Sequence, residues 1–137
     1  MALILDTGVL YAAIDRDDRA HERCRHLIDS TTEQIVLPSP ILPEVDYWVA
    51  KHLGAGAMIA LLADIRLGAF RVEDVTDVDY ARIAQILDKY DDQDVGFVDA
   101  AVLAITERFV EPKLATLDHR HFAVLRPRHV DALDLLP

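Results

Sequence analysis

Two short apolar runs in this sequence each end in an aspartate. Residues 3–5 (Leu-Ile-Leu) are followed by Asp6, and residues 114–117 (Leu-Ala-Thr-Leu) are followed by Asp118. Runs this short and apolar are typical of strands buried on both faces of a parallel sheet. Ligands bind beyond the carboxyl ends of such strands. We therefore expect both carboxylates to lie at one edge of the sheet.

Helical patterns separate the apolar runs. Residues 35–37 predict another buried strand that stops at Pro38, residues 69–75 predict a further strand, and the terminal VDALDLLP indicates an edge strand. Helical periodicity covers 9–14, 20–30, 57–67, 76–90, 96–108 and a segment through Glu44 that ends near Gly54. This alternation predicts an α/β fold with a short, mainly parallel sheet and helices on both faces.

The composition favours one compact domain over residues 1–137. The chain is 52% hydrophobic with a mean hydropathy of +0.14, and it has no repeat or linker. It has no apolar stretch of the roughly 18 residues that span a membrane and no signal-peptide pattern, so we expect a cytoplasmic protein. The single cysteine, Cys24, excludes an intramolecular disulfide and argues against a cysteine-based zinc site.

The net charge of −10 is distributed unevenly. The net charge by itself disfavours a nucleic-acid partner. Residues 73–99 hold nine acids against two basic residues. The segment 113–129 instead contains Lys113, Arg120, Arg126, Arg128 and three histidines. Its arginines are candidates for contacts with RNA phosphates. Ordinary solvent exposure accounts for them equally well.

Two further acids lie in predicted helices. Glu44 is near the start of one helix, and Asp99 is surrounded by small apolar residues with no basic residue before Arg108. Burying such a carboxylate without a partner is costly. The helix dipole offsets this cost by only about 0.3–1 kcal/mol. If Asp6, Glu44, Asp99 and Asp118 converge, each pair about 4 Å apart repels by about 4 kcal/mol.

Such a cluster must take up protons or bind a cation. Carboxylate oxygens favour Mg²⁺ or Mn²⁺. The chemistry that suits an all-carboxylate metal site is phosphodiester hydrolysis, in which the ion lowers the pKa of water and stabilises the leaving oxygen.

Each acid also has an ordinary structural interpretation. Asp6 is suited to cap a helix, Asp118 is suited to cap the turn into HRHF, and Asp46 is an alternative to Glu44 on another helix face.

The sequence allows more than one role for several residues near these acids. Thr7 and Thr116 are placed either to bond a carboxylate or to cap a turn. The histidines of the HRH segment, residues 119–121, diverge in direction, which disfavours joint metal ligation. Trp48 is assigned to core or dimer packing.

Four segments in order along the chain resemble the PIN-domain ribonucleases of the VapC toxin type. They are LILDTGVLYA, PSPILPEVDYWV, YDDQDVGFVDAAVLA and LATLDHRHF. The resemblance covers nearly the whole chain and implies a PIN-like nuclease domain. It implies a Mg²⁺- or Mn²⁺-dependent endoribonuclease with metal ligands at Asp6, Glu44, Asp99 and Asp118. Gly8 stands where this family commonly has serine, and Asp92 and Asp94 are possible additional acids of the site.

The resemblance also implies partners and a substrate. It implies a homodimer inhibited by a cognate antitoxin, and a structured RNA, tRNA or rRNA, as substrate. An alternative is a catalytically silent PIN-like module whose acidic cleft docks a basic protein. A phosphatase of the haloacid dehalogenase type is disfavoured because Gly8 occupies the position where that chemistry needs a second acid.

Overall fold

A computed structural model describes residues 1–137 as five strands and seven helices. The strands are β1 (Ala2–Ile4), β2 (Gln34–Pro38), β3 (Arg71–Glu73), β4 (Lys113–Ala115) and β5 (Asp134–Leu136). The helices are α1 (Thr7–Ile14), α2 (His21–Ser30), α3 (Ile41–His52), α4 (Ala55–Arg66), α5 (Asp77–Lys89), α6 (Phe97–Arg108) and α7 (His119–Val124). None of these helices is both long and apolar enough to cross a bilayer.

All strand pairings are parallel. β2 lies between β1 and β3, and β4 pairs with β5. A parallel bridge between Leu5 and Ala115 joins the two groups, which gives the spatial order β3-β2-β1-β4-β5. The predicted parallel α/β fold is therefore confirmed. The order of the strands reverses between β1 and β4, and parallel sheets bind ligands at such a reversal.

The centre of the sheet is buried on both faces. All three residues of β1 are buried, and successive side chains of a strand point to opposite faces. Helix α6 is buried continuously from Ala100 to Thr106. Helix α1 packs against α2 and α3, and α5 packs against α6. These helices give the functional residues at their N-termini a fixed position relative to the sheet.

The structure differs from the sequence prediction around Asp118. Strand β4 ends at Ala115, so Asp118 lies three residues beyond it and does not end the strand as Asp6 does. The cause is a turn in which the Thr116 hydroxyl accepts a hydrogen bond from the Asp118 N–H, at 3.0 Å. The chain then enters α7, a helix that the sequence did not predict, with Asp118 as its N-cap.

Candidate active site

One cleft of about 420 Å³ is lined by all four acids that the sequence singled out. It lies beyond the carboxyl ends of β1 and β4, where the strand order reverses. Asp6 caps α1, Asp118 caps α7, and Glu44 and Asp99 lie in the first turns of α3 and α6. The fold thus brings together side chains that are up to 112 positions apart in the sequence.

Asp6 is the most deeply buried of the four, with 7% of its surface exposed. Its carboxylate accepts hydrogen bonds from the Thr7 N–H (2.8 Å) and from the Thr116 hydroxyl (2.9 Å). Burial raises the pKa of Asp6 to about 6. The two hydrogen bonds oppose this rise, whereas the negative charges of Asp99 and Glu44 add to it. Asp6 is therefore a helix cap and a cleft carboxylate at once.

The pKa of Asp99 is also raised, first by burial and then by the negative charges of Asp118 and Glu44. A nearby histidine, His121, opposes the rise. Its Nδ1 lies 2.9 Å from Asp118 Oδ2 and 3.7 Å from Asp99 Oδ2. This contact does not follow from the sequence pattern, because it depends on α7, in which His121 lies three residues after the capping Asp118.

Glu44 is the most exposed of the four acids. The Thr7 hydroxyl donates a 2.6 Å hydrogen bond to Glu44 Oε1, which ties α1 to α3 across the cleft. Together with the bond from Thr116 to Asp6, this shows that both threonine hydroxyls hold carboxylates, and Thr116 also caps the turn by accepting the Asp118 N–H. Each threonine thereby restricts the direction in which one acid points.

The competing acids lie elsewhere. Asp46 lines a different cavity, with Tyr47 and Lys51. Asp92 and Asp94 are exposed in the turn before α6 and do not line the cleft. At Gly8, an added Cβ would meet the Leu117 side chain at 3.6 Å, an ordinary contact, so the packing there does not require glycine.

The chemistry of the cleft suits a hard divalent cation. Its charged lining consists of carboxylates, with no lysine or arginine to neutralise them. As they stand, however, no three acidic, histidine or cysteine side chains are grouped closely enough to hold an ion. Glu44 is held by Thr7, and Asp118 lies against His121. In this arrangement the carboxylates of Glu44 and Asp118 each already contact a neighbouring side chain.

The prediction that Trp48 packs in the core is wrong. Trp48 is 42% exposed and lines the wall of the cleft on α3. The buried face of α3 is formed by Ile41, Val45 and Val49, and Trp48 lies outside that face.

The basic segment 113–129 is only partly available to a ligand. Lys113 forms ion pairs with Glu33 and Glu111, and Arg128 donates a hydrogen bond to Gln85. The side chains of Arg120 and Arg126 are exposed and form no ion pair.

Comparison with known proteins places this geometry in a family. The sequence model of the PIN domain matches residues 3–126. Ribonuclease VapC26 of Mycobacterium tuberculosis is 34% identical over 125 residues, which cover 91% of this chain and 93% of VapC26.

Solved structures have the same fold. The Sarcin-Ricin loop cleaving toxin VapC20 of M. tuberculosis superposes with a TM-score of 0.77 at 23% identity, covering 94% of this chain and 98% of VapC20. VapBC2 of Rickettsia felis, bound to a promoter DNA fragment, gives a TM-score of 0.72 at 18% identity, with full coverage of both chains.

Proposed function

This chain belongs to the PIN-domain family and is a relative of the VapC ribonucleases, and from that membership we propose that it is a metal-dependent endoribonuclease. One observation carries the proposal: four carboxylates line one cleft with no lysine or arginine among them. The raised pKa values of Asp6 and Asp99 agree with a site whose charge a bound cation would offset.

We assign Asp6, Glu44, Asp99 and Asp118 as the residues that hold Mg²⁺ or Mn²⁺. When bound, such a cation lowers the pKa of water and offsets the charge that develops on phosphate oxygens. The remaining residues act as positioning groups. Thr116 and the Thr7 N–H fix Asp6, and the Thr7 hydroxyl orients Glu44. His121 lies between Asp99 and Asp118, where its protonated form would offset part of their mutual repulsion.

We propose a structured RNA, tRNA or rRNA, as the substrate. VapC20, which shares the fold, is described as cleaving the Sarcin-Ricin loop. Arg120 and Arg126 are exposed and form no ion pair, so they are candidates for contacts with RNA phosphates. The overall charge of −10 repels RNA, so such basic residues have to supply the local attraction.

We propose that the protein is the toxin of a cytoplasmic toxin–antitoxin pair and forms a homodimer. VapBC2 of R. felis and a complex from Klebsiella pneumoniae, described as toxin–antitoxin, share its fold. A cognate antitoxin is accordingly the expected protein partner.

The test is cleavage of total RNA by the purified chain with Mg²⁺, with Mn²⁺ or with a chelator, followed by mapping of the new ends. We expect discrete cleavage only with metal. Asp99→Asn should reduce cleavage by at least about 100-fold, because a metal site contributes several kcal/mol to catalysis. The matched control is Asp46→Asn, an acid outside the cleft, which should cleave normally.

The alternative is the catalytically silent module. It would be supported, and the nuclease contradicted, by the absence of cleavage with either metal and of Mn²⁺ binding by calorimetry, together with tight binding of a basic peptide.

A further inference from the structure

A second cavity adjoins the carboxylate cleft. It measures about 530 Å³ and shares Thr7, Gly8, Trp48 and Leu117 with the cleft, so the two form one continuous surface. Its volume lies in the range of roughly 300–1,000 Å³ that is usual for small-molecule sites. We call it the aromatic pocket, because Tyr11, Trp48 and His52 line it.

Two rings of the aromatic pocket form a parallel pair, and the third is tilted by 59°. The Lys51 Nζ lies 5.5 Å from the centroid of the Trp48 ring and adds a positive charge beside this pair. Trp48 and His52 lie parallel within 4°, with ring centroids 5.9 Å apart. Tyr11 is tilted against His52 at 6.4 Å. Trp48 and His52 are both exposed on the surface of α3. Unpaired RNA bases bind to exposed aromatic rings by stacking.

The charges of the aromatic pocket determine which part of a nucleotide it accepts. Asp15, Asp17 and Asp18 line it against Arg19, so a phosphate would be repelled. Asp15 already accepts hydrogen bonds from the Tyr11 hydroxyl and the Asp17 N–H. The Asp17 carboxylate and Asp18 Oδ2 accept none within the chain, and carboxylates accept hydrogen bonds without donating any.

We propose that the aromatic pocket binds one unpaired nucleobase of the RNA, preferably guanine, beside the carboxylate cleft. Guanine presents two adjacent N–H donors on its base-pairing edge, which match one carboxylate. Uracil presents a single N–H between two carbonyl oxygens, which carboxylates repel. The identity of the ligand as RNA rests on the proposed function, whereas base binding is measured without cleavage.

The experiment uses Trp48 as its own reporter, because it is the only tryptophan of the chain. Its fluorescence is titrated in chelator with the pentaribonucleotide UUGUU, with UUUUU, and with the same strand carrying an abasic central position. We expect UUGUU to quench the fluorescence and to bind on the order of tenfold more tightly than the abasic strand, since one stacked base contributes about that factor. UUUUU should lie between the two.

The same binding is then measured for variants, by the fluorescence anisotropy of labelled UUGUU. Trp48→Leu should weaken binding about tenfold, and Trp48→Phe, which keeps a ring, should weaken it less. Tyr80→Leu is the matched control, because Tyr80 is an aromatic residue of similar exposure (55%) that lines a different cavity. It should bind as the unmodified chain does.

Equal binding of the abasic strand and of UUGUU would overturn the proposal, even if the chain cleaves RNA. Guanine-dependent binding without any cleavage would uphold the aromatic pocket and contradict the nuclease. Loss of binding to a protein partner in Trp48→Leu, with unchanged affinity for UUGUU, would assign this surface to that partner and overturn the proposal.

Discussion

At the scale of single residues, Asp6 and Asp79 show how the partner of a buried acid sets its behaviour. Both are buried, which by itself raises the pKa of a carboxyl. For Asp79, hydrogen bonds from Arg108 and from Thr76 outweigh burial, and the pKa is lowered. Asp6 has only neutral donors and two like charges nearby, and its pKa rises to about 6. The charged form of Asp79 is therefore stabilised by the fold, whereas the charged form of Asp6 is disfavoured by it.

This contrast predicts opposite effects of two Asp→Asn changes. Because the folded pKa of Asp6 is above its ordinary value of 3.8, its contribution to stability is fully present below about pH 4 and is lost as the pH rises through about 6. Without metal, Asp6→Asn should therefore raise the free energy of unfolding by about 1–3 kcal/mol at pH 8. The gain should vanish near pH 4. Urea unfolding at the two pH values measures it.

Asp79→Asn is the matched control for Asp6→Asn. The contribution of Asp79 is present above its ordinary pKa and is lost as the pH falls, because its folded pKa is lowered. Its replacement should destabilise the chain by about 2–4 kcal/mol at pH 8, since Arg108 loses a charged partner. A destabilising Asp6→Asn at pH 8 would contradict our account of the cleft.

The sequence predicted which four acids meet in the cleft, but not which side chains contact them. Asp99 stood out because its neighbours are apolar and no base is near it in the chain. His121 did not, because its contact with Asp99 depends on how a turn of residues 116–118 directs α7. Side-chain partners across the cleft depend on tertiary geometry that local periodicity does not contain.

At the scale of secondary structure, ion pairs at the C-terminus of α6 hold in place the helix that carries Asp99 in its first turn. Arg108, in the last turn of α6, forms ion pairs with Glu73 of β3 and Asp79 of α5. Asp79 also completes a capping box with Thr76 at the start of α5. The C-terminus of α6 is thus fastened to two neighbouring elements, while its N-terminus carries the cleft acid.

Loss of the capping box should weaken this arrangement. Thr76→Ala removes the hydroxyl that accepts the Asp79 N–H, at 3.3 Å. We expect a loss of about 1 kcal/mol in the free energy of unfolding, measured by urea denaturation monitored by circular dichroism. Thr32→Ala, an exposed loop threonine, is the control and should be neutral within about 0.5 kcal/mol. A neutral Thr76→Ala would show that the cap contributes nothing to this helix.

Elements with strong periodicity or a clear cap were predicted well. Thr76 marked the start of α5, and the apolar stretch of α6 marked that helix. Helix α7 was missed because it has six residues and buries only Phe122, too few for a periodic pattern. Strand β5, by contrast, was anticipated in the VDALDLLP segment, and it pairs with β4.

At the scale of the whole molecule, the charge of −10 complicates any effect of divalent cations. Screening alone reduces the repulsion among surface acids, whereas a specific site stabilises the folded state by mass action. At an ion concentration 100 times the Kd, a specific site adds about 2.7 kcal/mol. The two effects can be separated because only the second depends on the cleft.

We therefore expect Mn²⁺ to raise the Tm by several degrees beyond KCl of the same ionic strength. In Asp99→Asn this excess should disappear, and the response to KCl should stay the same. Differential scanning fluorimetry measures both. An equal Mn²⁺ excess in the variant would place ion binding outside the cleft.

The bridge between Leu5 and Ala115 has a consequence for the order in which the protein is made. Asp6 leaves the ribosome first, but the threonine that holds it, Thr116, is added 110 residues later. A nascent chain therefore lacks both Thr116 and the fourth acid, Asp118, until translation is almost complete. A product released by a stop codon before that point would keep Asp6, Glu44 and Asp99 but lose Asp118 and the threonine that holds Asp6, so under the proposed function it would not cleave RNA.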